Sequence, residues 1–148
     1  MDKIEVLEKL HSVHETEKDT AHKIYQDALE QFEMVATNLY SLLKEKEEWE
    51  EKVDNQIQHA IPINELLTYQ HYVKQLEEKI AKLQKDVQYA RQDMQIKQQS
   101  LTDKYVEMKK YELMIENKVS KKKQLEQTAE NQQIDEISVQ QFIRFNTK

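Results

Sequence analysis

His11 and His14 stand three residues apart, a spacing that would put two imidazoles on one face of a helix, where they could bind a metal ion. No carboxylate or further histidine completes a coordination set around them, so a solvated helix face is the simpler account and no metal is expected. Glu45, Glu47, Glu48, Glu50 and Glu51 flank Trp49. Most of those carboxylates read as a solvated outer face. Trp49 differs, because one partner helix can hardly cover so large a ring, and tryptophan is enriched among the anchors of protein interfaces. The run Lys121, Lys122, Lys123 suits either solvent or an acidic partner, and solvent is the simpler reading. The densest group is Tyr69-Gln70-His71-Tyr72-Val73-Lys74-Gln75-Leu76, with three rings in four residues. No nucleophile–base pair, phosphate-cradling loop or metal cluster stands out, so neither catalysis nor a cofactor or small-molecule ligand is expected.

The elements that carry these residues follow from composition. The chain has 148 residues, no Gly, no Cys and one Pro, Pro62, and charged residues make up 34%. Helix-favouring Glu, Lys, Gln, Leu, Ala and Met dominate, so nearly all of it can be helical. Three Phe and one Trp among so many charges cannot build a wide core. They suffice for one narrow stripe.

That stripe has a heptad period. Spaced alternately four and three apart, the first half reads Ala21, Tyr25, Ala28, Phe32, Val35, Leu39, Leu42, Lys46, Trp49, Val53. The second reads Leu66, Tyr69, Val73, Leu76, Ile80, Leu83, Val87, Ala90, Met94, Lys97, Leu101, Lys104, Met108, Tyr111, Ile115. An apolar repeat of 3.5 residues held this long is the mark of a coiled coil. The first stripe reaches Leu10 and Leu7 only through an eleven-residue step, which predicts a stutter and loose packing around His11, His14, Glu15, Glu17 and Asp19. The second weakens at Lys118 and Lys122 before Leu125 and Ala129 take it up again.

Pro62 must interrupt the helix, and Asn64 suits the N-cap of the next one. A short loop makes the two helices antiparallel neighbours. The expected fold is all-α, a single domain over 1–148 built as a long two-helix antiparallel coiled-coil hairpin. Helix one covers about 3–58, the loop 59–63, helix two about 64–130, and 131–148 form a tail. Residues 1–60 carry 15 acidic and 7 basic side chains (net −8), and residues 61–148 carry 13 and 15 (net +2), so the halves attract. A net charge of −6 disfavours a nucleic-acid partner. No signal peptide or membrane-spanning run is apparent, and the lack of Cys fits a reducing cytoplasm.

The block Tyr69-Gln70-His71-Tyr72-Val73-Lys74-Gln75-Leu76-Glu77 after a short loop, the length near 150, and the tail Ile134-Asp135-Glu136-Ile137 through Phe142 resemble the FliJ proteins of the bacterial flagellar type III export apparatus. The resemblance spans essentially the whole chain. It implies a two-helix coiled coil like the central shaft of rotary ATPases. The end bearing both termini would insert into the hexameric export ATPase and promote its assembly and activity; here that end comprises Ile4, Leu7, Leu10, Lys118, Lys121 and Lys122. The other implied partners are the cytoplasmic part of the membrane export gate and, in some species, empty export chaperones. The family's gate-binding surface falls on Leu42, Trp49, Tyr72 and Leu76, and less closely on Asn38, Lys79 and Leu83. Asn38 stands where Gln is usual, Glu45 where the family often has Tyr, and Pro62 in a loop that commonly contains Gly. The location implied is the cytoplasmic face of the membrane at the flagellar base, without insertion.

Two other readings remain at this stage. One is a coiled-coil chaperone that escorts secretion substrates or chaperones without regulating an ATPase. The other is a structural spacer that pairs as a parallel homodimer.

Overall fold

The computed structural model describes residues 2–146 and contains two helices, α1 (Lys3–Ile57) and α2 (Ile63–Asn146). They pack together as an all-α hairpin, with no strand among the described residues. Inter-residue contacts divide the chain into two compact units, Asp19–Thr102 and Met1–Lys18 with Asp103–Lys148.

The Asp19–Thr102 unit contains the loop and most of the core. Its seam positions on both helices are all buried or half-buried. Ala21, Ala28 and Val35 of α1 and Leu76, Ile80 and Val87 of α2 are the most enclosed, with Leu76 only 2% exposed. Small residues on α1 let its backbone approach the larger aliphatic side chains of α2. Arg91 lies over the Phe32 ring, 5.6 Å from its centroid, and extends the cover of a half-buried aromatic.

The helix start differs from expectation. Pro62, and not Asn64, occupies the cap position: its carbonyl accepts the Leu66 N–H at 3.2 Å and the Glu65 N–H at 3.1 Å. Proline has no N–H to orphan and its ring fixes φ, so it can precede a helix closely. Asn64 lies inside the first turn, where its carbonyl also accepts the Thr68 hydroxyl at 2.9 Å. On the other side of the loop Ala60 has φ 54°. That left-handed conformation closes the chain at a cost a glycine would avoid.

The second unit pairs the start of α1 with the later part of α2. Ile4, Leu7, His11, His14 and Lys18 are half-buried, whereas Leu10 is 39% exposed. Alternate three- and four-residue steps therefore run unbroken from Ile4 to Lys18, and Ala21 follows three residues later. There is no stutter here. Polar residues hold the heptad phase, and Leu10 lies outside it. On α2, Met108 is buried and Tyr111 and Ile115 half-buried, while Lys104 is exposed.

From 116 to 146 every residue is exposed, although the helix is continuous to Asn146. Leu125 and Ala129 do not resume a seam, because α1 begins at Lys3 and provides no partner so far along α2. The segment set aside as a tail is helical for want of anything to stop it: after Pro62 there is neither proline nor glycine.

Candidate interaction surfaces

Trp49 organises an aromatic group near the loop. Glu45, Trp49 and Lys52 follow one another at four and three residues, which aligns them along one face of α1. Tyr69 and Tyr72 come from the matching stretch of α2. The Trp49 ring lies 5.4 Å from Tyr69 at 42° and 4.8 Å from Tyr72 at 59°, both tilted arrangements that aromatic quadrupoles favour. The Lys52 ammonium sits 4.8 Å from the Trp49 ring centroid. Both Trp49 and Tyr72 are half-buried, so each keeps an accessible edge.

The Tyr72 hydroxyl donates to Glu45 Oε1 at 2.6 Å. This bond to a carboxylate, with some burial and the charge of Glu45 behind it, raises the phenol above its ordinary 10.0. Glu45 thus holds Tyr72 down across the seam. Beside it, Lys46 reaches Glu50 at 3.6 Å and Glu77 at 3.5 Å. Glu45 and Lys52 as partners of the ring cluster were missed from sequence, yet their four- and three-residue offsets from Trp49 were there to be read.

The remaining residues of the expected docking set are placed unequally. Leu42 and Leu83 are half-buried and Asn38 and Lys79 exposed. Leu76 is core, so it can support a surface from beneath without touching a partner.

The second unit contains a polar layer in the seam. His11 Nε2 lies 3.1 Å from Glu112 Oε1, and its Nδ1 is 3.6 Å from Glu15. The His14 ring stacks on Tyr111 at 4.7 Å and 13°. Its sheltered Nδ1 has no hydrogen bond and sits 3.5 Å from Glu17 Oε2, at ion-pair range. Lys104 meets Glu17 at 3.4 Å. Lys109 donates to Glu112 Oε2 at 2.7 Å, and that bond, followed by the one from His11, holds the Glu112 carboxyl below its ordinary 4.5. No group of three His, Cys, Asp or Glu suited to a metal occurs among the described residues.

Further toward the termini, Val6, Leu7 and Met114 line a shallow groove of about 500 Å³ rimmed by Lys3, Lys118 and Lys121. Of the residues expected at the terminal end, Ile4 and Leu7 are half-buried, and Leu10, Lys118, Lys121 and Lys122 are exposed. No described helix is long and apolar enough to cross a membrane.

A helical hairpin with a narrow seam, an open aromatic cluster and a cation-rimmed groove defines a coiled-coil protein that presents surfaces along its helices. The chain belongs to the FliJ family: the model of the flagellar FliJ protein matches residues 3–147. The flagellar FliJ protein of Bacillus subtilis (strain 168) is 34% identical over 136 residues, which cover 92% of each chain. No solved structure matches. Membership gives this hairpin a role related to flagellar export.

Proposed function

We propose that the chain is a non-catalytic stalk of the flagellar type III export apparatus. It binds within the hexameric export ATPase by the end that holds both termini, promotes assembly and activity of the ring, and links it to the cytoplasmic part of the membrane export gate. It works in the cytoplasm, at the membrane face of the flagellar base. The observation that carries this reading is family membership along nearly the full chain, joined to an accessible aromatic cluster at the Trp49 end.

Supporting the gate contact, Trp49 and Tyr72 are half-buried rings braced by Tyr69, Lys52 and Glu45, so they are pre-oriented and lose little freedom on docking. Leu42 adds apolar area and Leu76 fixes the helices beneath. Supporting the ring contact, the groove between Leu7 and Met114 and the exposed Lys118, Lys121 and Lys122 offer apolar and cationic surface.

Adding the chain to its cognate ATPase hexamer should raise ATP turnover several-fold. The double variant Trp49→Ala/Tyr72→Ala should lose capture of the purified gate domain while keeping its helical circular dichroism and its stimulation of the ATPase. Undiminished capture would remove the gate assignment. A second reading, escort of export chaperones, is favoured by the exposed apolar residues Leu125, Ile134, Ile137 and Phe142. Under that reading alone, the hexamer's turnover would not respond to the chain.

A further inference from the structure

The stretch of α2 from 116 to 146 is a continuous helix with every residue exposed. Helices in proteins gain most of their stability from packing an apolar face, and this one displays Val119 (38% exposed), Ile134 (59%) and Ile137 (55%). Its charges are segregated. Between Glu116 at its start and Arg144 in its last turn, Lys118, Lys121, Lys122 and Lys123 come first, and Glu126, Glu130, Asp135 and Glu136 follow with no basic residue among them. Within this pattern Val119, Lys123, Glu130 and Ile134 are spaced four, seven and four apart. At 3.6 residues per turn they lie within about 60° of one another on a single face. The spacing reads the same from either end, so a reversed copy sets Val119 against Ile134 and Lys123 against Glu130, twice over.

We infer that this face pairs with the same face of a second copy, in an antiparallel, two-fold symmetric contact centred near Glu126 and Gln127. A self-complementary patch of this kind is what an isologous dimer requires. Charge selects the direction. Parallel in-register pairing would set four lysines against their own copies and four carboxylates against theirs, whereas the antiparallel pair opposes unlike blocks. The inferred contact stands apart from the stalk reading. Where both hold, self-pairing hides the overhang and competes with whatever else binds it.

Sedimentation velocity on the full chain across micromolar concentrations should show a monomer–dimer equilibrium that weakens as salt rises from 50 to 500 mM, as expected for exposed charge pairs. Lys123→Glu and Glu130→Lys should each weaken dimerisation by roughly tenfold, since each turns two attractive pairs repulsive. The exchange variant Lys123→Glu/Glu130→Lys should restore it. All these positions are exposed and lie beyond the seam, so the cooperative melting of the paired helices should not change. Because the chain has no cysteine, Val119→Cys and Ile134→Cys each introduce a single thiol. A short bismaleimide should join a mixture of the two variants and leave each variant alone unlinked. A monomer at 100 µM in low salt, failure of the exchange variant to restore pairing, or cross-linking of the Val119→Cys variant to itself would each overturn the inference.

Discussion

Tyr72 shows how one short bond sets the character of a surface side chain. Its hydroxyl donates to Glu45, which stabilises the neutral phenol and raises its folded pKa. The stabilisation is therefore present below pH 10 and is lost as pH rises through the folded pKa. Absorbance titration near 295 nm should find one phenol that ionises later than the others, and Glu45→Gln should bring it back toward 10. Glu112 has the opposite sign. The Lys109 ammonium and His11 hold its pKa down, so its contribution is present above about pH 4.5 and is lost as pH falls through the folded value. Acid melting curves of Glu112→Gln should be flatter than those of the parent between pH 5 and pH 3. Leu76 exerts its effect by volume. At 2% exposure, its replacement by alanine should cost about 2–3 kcal/mol in denaturant melts, with the Trp49 region losing definition as well.

At the scale of elements, the seam was legible because spacing alone sets it. Every α1 position read between 21 and 53 is buried or half-buried, as are those of α2 between 66 and 115 except Lys104. The start of α1 was misread for a physical reason. Hydrophobicity marks a register only where apolar residues fill it, and His11, His14 and Lys18 fill theirs with rings and a long aliphatic stem. Counting by threes and fours from Leu7 would have found them. The loop was legible from Pro62, but its cap was not, since the capping group is a backbone carbonyl and side-chain preference points to Asn64. Ala60, at φ 54°, yields a test of the loop. Ala60→Gly removes the left-handed penalty at the expense of unfolded-chain entropy and should stabilise the hairpin by about 0.5–1 kcal/mol. An unchanged denaturation midpoint would contradict that account.

For the whole molecule, composition announces a nearly all-helical chain and Pro62 divides it in two. Tyr69, His71 and Tyr72 stand out as an excess of rings, whereas the packing of the two tyrosines on Trp49 emerges only in the structure. The sequence shows in part where α1 stops covering α2, since the stripe weakens at Lys118 and Lys122. Leu125 and Ala129, however, suggest a seam that does not resume, and helix propensity is as high beyond Ile115 as before it. Removing residues 121–148 should thus leave the cooperative melting midpoint within about 2 °C, since the described side chains lost, 121–146, are all exposed. It should also abolish self-pairing of the chain.

The exposed stretch of α2 has one more consequence, for time. Up to Ile115 the backbone of α2 is held by packing against α1, so its amides should exchange with solvent deuterium more slowly than those beyond. Past that point the same unbroken helix can fray turn by turn from Asn146 inward, and single-helix fluctuations take place in under a microsecond. One covalent helix therefore keeps two clocks, and the step between them falls where α1 ends its cover.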